Sequence, residues 1–266
     1  MNTAEVKDLC QKLGIQPSKK LGQNFLIDAA ICKKIVQECA LSEYQNIYEI
    51  GPGLGALTQG LLQLNKQLRL IELDNKLAEY CQQQGATVIH KDALKLDWFK
   101  EINHKSLVVS NLPYQISSSI VIELSSIANV EKMVFMFQKE VAQRIASKEG
   151  SKNYGLLSII AQTYWQIKKL VDAPARAFYP PPKIESRVLV FVRKQEFPVK
   201  ASIFIKFLKS AFSQRRKLLS KNLKGYTDEE KLIKAFIKLA IPDKARAEEL
   251  SVEQFQQLFL ELNNGN

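Results

Sequence analysis

The tetrapeptide Asn111-Leu112-Pro113-Tyr114 combines residue types suited to one task, the activation of a purine's exocyclic amine. Such an amine is a poor nucleophile because its lone pair is delocalised into the ring. Two hydrogen-bond acceptors held beside it favour a pyramidal nitrogen whose lone pair can point at an electrophile. The Asn111 side-chain oxygen is one acceptor, and a backbone carbonyl at Leu112 or Pro113 is the other. Proline fixes φ and so the direction of the neighbouring carbonyl. Tyr114 adds a flat face for the base, a stacking contact worth ~1–3 kcal/mol. With a sulfonium-borne methyl as electrophile the leaving group is already activated, so alignment and electrostatics suffice without a general base or metal. Taken bare, the same four residues also make an ordinary strand-to-loop turn.

Upstream, Glu49-Ile50-Gly51-Pro52-Gly53-Leu54-Gly55-Ala56 follows an apolar run and opens a helical stretch. Glycines let the backbone turn sharply and approach a ligand, and a helix start offers unpaired N–H groups. Glu72 lies 21 residues after Gly51, at the end of the next apolar run, where a carboxylate can accept from two ribose hydroxyls. Gly51-x-Gly53-x-x-Ala56 equally satisfies the dinucleotide fingerprint, and a purely structural turn is a third reading. Asp92, placed after a third run to accept from an adenine amine, and the tetrapeptide after a fourth separate these cofactors.

These residues need a sheet to position them. Strand-like runs at Asn46–Ile50, Leu68–Leu73, Thr87–His90, Leu107–Ser110 and Met133–Phe137 alternate with helix-like stretches such as 56–64, 76–84 and 117–126. That alternation predicts a parallel sheet covered on both faces. Two further runs, Trp165–Val171 and Val188–Val192, lack a clear intervening helix and suggest an antiparallel edge. The fold class is therefore α/β: a doubly wound, mostly parallel, seven-stranded Rossmann-like sheet followed by a small all-helical C-terminal domain. The division falls between residues 1–196 and 197–266. Helical stretches are expected at 201–223, 228–239 and 251–262, with Asp228 as a cap and Ser251 with Gln254 as a capping box.

The net charge of +11 is unevenly placed. Residues 200–224 carry eight Lys or Arg and no acid, leaving 30 basic against 27 acidic residues elsewhere. A stripe of this kind marks a polyanion partner, with a membrane-surface helix as the rival. On a continuous helix, Leu208, Phe212, Leu219 and Leu223 form a seam, opposite Lys206, Lys209, Lys217, Lys221 and Lys224, with Arg215 on the seam. The four cysteines form no C-x-x-C pair and stand apart from both histidines, so neither zinc nor disulfides are expected. No apolar run approaches the ~18 residues that span a bilayer, and the first ten residues lack signal or transit character, which makes the cytoplasm the expected location.

Together these motifs resemble the rRNA adenine dimethyltransferase family, over nearly the whole chain. Lys19-Lys20-Leu21-Gly22-Gln23-Asn24-Phe25-Leu26 is similar to its N-terminal cofactor motif, although Gln23-Asn24 alone reads as a helix cap. The resemblance implies that Asn24, Leu26, Gly51, Glu72, Asp92 and Asn111 hold S-adenosylmethionine. It implies that Asn111, Leu112, Pro113, Tyr114 and Phe178 form the catalytic pocket, Phe178 belonging to the signature at 178–186. Ala211–Lys217 resembles the start of the family's RNA-binding region. The implied reaction is dimethylation of N6 on two adjacent adenosines near the 3′ end of 16S rRNA in the small subunit, by a monomer. DNA adenine methyltransferases tend to carry a second proline where Leu112 stands, and large-subunit resistance enzymes usually isoleucine. Two readings of other classes remain: a nicotinamide oxidoreductase, which leaves Asn111–Tyr114 unexplained, and a non-catalytic rRNA assembly factor built on the same scaffold.

Overall fold

Short runs of β-branched and aliphatic residues, buried on both faces, build the centre of the molecule, as expected for parallel strands covered by helices. The computed structural model describes residues 1–18, 21–195 and 197–263. Lys19 and Lys20 of the N-terminal motif and Glu196 at the expected division lie outside the described residues. Among the described residues the strands are β1 Phe25–Leu26, β2 Asn46–Ile50, β3 Gln67–Glu72, β4 Thr87–His90, β5 Ser106–Asn111, β6 Val130–Gln138, β7 Trp165–Ala173, β8 Phe178–Tyr179 and β9 Ser186–Arg193. Seven form one sheet in the order β4-β3-β2-β5-β6-β9-β7. The first five pair in parallel, and β9 runs antiparallel to β6. The short β1 and β8 form a separate antiparallel pair that sets Leu26 against Phe178.

Chain order reverses between β2 and β5, so β3 and β4 extend the sheet to one side and β6 to the other. In open α/β sheets ligands bind outside the C-terminal ends of strands at such a reversal. All four runs expected to carry site residues end at this edge. The helix Ala29–Ala40 starts at Asp28, whose side chain accepts from the amides of Ala30 and Ile31. The expected cap at Gln23-Asn24 therefore lies upstream of the actual one.

Contacts divide the chain into two compact units, 1–142 with 167–193 and 143–166 with 194–266. The second unit takes in an earlier excursion that the expected division at 196/197 did not include. It is mainly helical: Leu156–Tyr164, Ala201–Ala211, Leu219–Asn222, Glu229–Lys238 and Val252–Asn263. Phe204 and Phe207 pack edge-on against Phe259 at its centre, with ring centroids 5.4 and 5.5 Å away. Asp228 caps its helix, and Ser251 and Gln254 exchange hydrogen bonds as a capping box. No helix among the described residues is long and apolar enough to cross a membrane.

The expected helix over 201–223 is corrected. It stops at Ala211, and the chain turns before a second helix begins at Leu219. The Asn222 side-chain amide donates to the carbonyls of Ala211 and Gln214, 2.7 and 3.0 Å away, taking up acceptors that the next helical turn would have used. The Leu219 amide donates instead to Ala245. The wheel drawn through the whole stretch fails beyond Phe212, although Leu208, Leu219 and Leu223 are each fully buried.

One buried ion pair supports the sheet of the first unit. Lys132 on β6 reaches the Glu38 carboxylate at 2.7 Å and its backbone carbonyl at 2.8 Å, and both residues are about nine-tenths buried. Lys132→Ala leaves that carboxylate, among the described residues, with the exposed Lys168 as its remaining ion-pair partner, at 3.4 Å. The expected loss is about 3–5 kcal/mol by urea denaturation, whereas Glu38→Leu with Lys132→Met should return most of it. Equal destabilisation in both variants would refute this account.

Candidate active site

The glycine turn leaves β2 at Ile50. Gly51 and Gly53 have φ of +65° and +56°, a region other residues rarely enter. A Cβ on Gly53 would also stand 3.0 Å from the Phe25 ring, so the loop is bare where the N-terminal segment crosses it. Gly51 donates to Ile71 of β3 at 2.8 Å, and the Ser110 hydroxyl donates to the Ile50 carbonyl. The turn is thereby pinned between the ends of two neighbouring strands.

Glu72, at the end of β3, is buried and held by backbone. One carboxylate oxygen accepts from the amides of Leu73 and Asp74 at 2.8 and 2.9 Å; the other accepts from Gly53 at 3.3 Å. Burial pushes its pKa up, and those amides oppose the shift. Asp92 follows β4 and accepts from Leu94 with one oxygen, at 2.9 Å. Asn24, Leu26, Gly51, Glu72, Asp92, Asn111, Leu112, Pro113 and Tyr114 all line one cavity of about 180 Å³.

Asn111 is the last residue of β5. Its amide nitrogen donates to the Asn24 carbonyl at 3.0 Å. With its nitrogen engaged there, the amide oxygen is the side chain's acceptor, on a residue that lines the cavity. The Asn24 side chain in turn donates to Gly22, at 3.2 Å. Pro113 accepts from the Ile116 amide at 3.1 Å and Tyr114 from the Ser117 hydroxyl at 2.9 Å, as the chain turns into the helix Ser117–Ser125. Of the two backbone carbonyls considered for the second acceptor, Pro113 is thus engaged in the turn, which favours Leu112.

Phe178 is placed differently. It pairs with Leu26 and is buried in the hydrophobic core, and it is not among the residues lining the cavity. Reading the sequence missed Glu49. This carboxyl lines the cavity, is 2% exposed, and accepts from the Thr58 hydroxyl at 2.7 Å. Its signal was present: an acid at the end of an apolar strand run, directly before the glycines. In the second unit Lys206, Lys209, Lys217, Lys221 and Lys224 are exposed, while Arg215 pairs with Glu248 at 2.6 Å and donates to the Lys152 carbonyl.

Comparison with known proteins bears on this arrangement. The family described as "Ribosomal RNA adenine dimethylase" matches residues 15–264. The chain is similar to the ribosomal RNA small subunit methyltransferase A of Bdellovibrio bacteriovorus, at 48% identity over 94% of this chain and 93% of the relative. Its counterpart from Malacoplasma penetrans is 39% identical over 91% and 90%. Among solved structures, a dimethyladenosine transferase from Plasmodium falciparum superposes with a TM-score of 0.77 at 25% identity, covering 90% of this chain and 97% of that one. The 23S rRNA methyltransferase ErmE, at 21% identity and a TM-score of 0.66, shares the fold.

Burial pushes the Glu49 carboxyl up to about 8, against the Thr58 hydrogen bond and helped by nearby Glu72. A raised carboxyl contributes stability that is fully present below its ordinary 4.5 and is lost as pH rises through 8. Glu49→Gln keeps an acceptor for Thr58 and cannot ionise. Its melting temperature relative to wild type, without cofactor, should therefore climb between pH 4.5 and 8. A difference independent of pH in calorimetric scans would show that Glu49 is not held neutral.

Proposed function

The chain belongs to the ribosomal RNA adenine dimethylase family, and we propose that its substrate is a pair of adjacent adenosines near the 3′ end of 16S rRNA in the small ribosomal subunit. It is an S-adenosylmethionine-dependent rRNA adenine dimethyltransferase. When bound, the cofactor supplies a methyl group on a positively charged sulfur. The donor set suits it: carboxylates end β3 and follow β4, where a ribose diol and an adenine amine need acceptors. The turn at Gly51 and Gly53 carries no side chain to obstruct an approaching ligand.

The observation carrying the substrate reading is the amide of Asn111, oriented by Asn24 on the wall of the cofactor cavity. Its oxygen accepts one N6 proton and the Leu112 carbonyl the other, which leaves the nitrogen lone pair directed at the methyl. Tyr114 supplies the stacking face for a base withdrawn from its own stack. Once methylated, the N6 nitrogen carries a positive charge and releases one proton to water, and a single remaining acceptor contact then holds the amine for the second transfer. We place the protein in the cytoplasm, acting as a monomer, with Lys217 and Lys221 meeting phosphates.

Tritiated methyl transfer to unmethylated small subunits, followed by nucleoside analysis, should yield N6,N6-dimethyladenosine. Asn111→Ala should lower kcat by about 10²–10³ while small-subunit affinity holds, because the acceptor acts on the amine in the transition state. Near wild-type turnover in that variant would dispose of the alignment mechanism.

The exposed lysines carry a separate expectation. Lys217→Ala with Lys221→Ala should leave cofactor affinity unchanged and weaken binding to rRNA. Each lost phosphate contact should make the slope of log affinity against log salt shallower by ~0.7–0.9. Identical salt slopes for variant and wild type would reduce the stripe to a solubility feature.

A further inference from the structure

Tyr114 is held at two points, and the second lies far away in sequence. Its carbonyl accepts from the Ser117 hydroxyl at 2.9 Å, which fixes the backbone. Its phenol oxygen lies 2.8 Å from the Ser186 hydroxyl, which fixes the other end of the ring. Both serines are fully buried. Ser186 opens β9, opposite Gln138 at the end of β6, while Asn111 stands opposite Met136 of that same strand. Two registers on β6 therefore locate the amide acceptor and the anchor of the aromatic ring.

We propose that Ser186 is a positioning residue for methyl transfer, holding the Tyr114 ring in the plane against which the target adenine stacks. The proposal rests on the adenine-methylating reading of this cavity. A phenol ring tethered only at its Cα is free to change rotamer about χ1 and χ2, and each rotamer presents its face in a different direction. A hydrogen bond at the far end of the ring selects one. The cost of losing it falls after the RNA has docked, when the adenine must be captured beside the amide. Turnover should therefore suffer while docking does not.

The test is a double-mutant cycle on the full-length enzyme, with unmethylated small subunits as substrate. Ser186→Ala should lower kcat by about 3–10-fold, the range of one hydrogen bond, with KM for subunits and calorimetric affinity for S-adenosylmethionine unchanged. Tyr114→Phe removes the same bond from the other side and should fall in the same range. The double variant should be no slower than the slower single, because only one interaction is lost. Multiplicative losses, wild-type turnover in Ser186→Ala, or a loss matched by weaker cofactor binding would each overturn the assignment. Should Ser186→Ala fail to fold, wild-type turnover in Tyr114→Phe would still overturn it. Failure of the functional reading shows separately, as a wild-type enzyme that transfers no methyl, and would take this inference with it.

Discussion

The site depends on β2 and β5 lying side by side in parallel, with Glu49 opposite Val109. Each strand ends in the residue that matters, β2 in the glycine turn and β5 in Asn111. Chain order reverses between them, so the segments leaving the two strands diverge and open space between their starts. A ladder pairing admits shifts only in whole residues, and a slip of one would turn buried Val108 and Val109 to opposite faces. The distance between the methyl-bearing and amine-bearing halves of the reaction is thus set by backbone hydrogen bonds in the most buried part of the sheet. Loops enter only to decorate that distance.

Charge in the cavity comes from the same burial. Glu49 and Glu72 are neighbours, and burial raises both. They differ in what faces them. Glu72 receives three backbone N–H groups, an environment that favours an ionised acceptor for hydroxyls. Glu49 receives one hydroxyl, from Thr58, and enters neutral pH substantially protonated. One acid is thereby available to a ligand, while the other braces the turn against the helix Thr58–Leu62. A wall of acidic and carbonyl oxygens suits a cationic ligand, whose charge disappears from the sulfur once the methyl has left.

Much of this was legible in the sequence, and the exceptions have identifiable physical causes. Runs such as Leu107–Ser110 and Met133–Phe137 announced themselves because a strand buried on both faces reads as a nearly continuous apolar stretch. Motif residues at strand ends inherited that clarity. The helix Leu156–Tyr164 went unseen because it is buried almost all round, so no polar period marks it. The break after Ala211 depends on Asn222 reaching back eleven residues, and no local signal announces it. The pairing of Leu26 with Phe178 is likewise non-local. Glu49 was the one site residue whose signal was local and overlooked. A buried acid before a glycine turn contradicts the hydrophobic pattern around it, and such contradictions mark functional positions.

The antiparallel return of β9 gives the edge something that parallel strands alone cannot. Where every strand runs the same way, the C-terminal edge holds only strand ends, and the chain beyond each of them is loop. A strand entering in the opposite sense places its first residue at that edge, still engaged in ladder hydrogen bonds. Ser186 occupies such a position opposite Gln138. An aromatic ring anchored there is referred to the sheet and not to the mobility of its own turn. Sites held by strands are positioned more tightly than sites held by loops. Asn111 already belongs to a strand, and Tyr114, three residues into the turn, does not. The hydroxyl of Ser186 gives Tyr114 the same frame of reference as Asn111, so the base and the acceptor that must meet it move together.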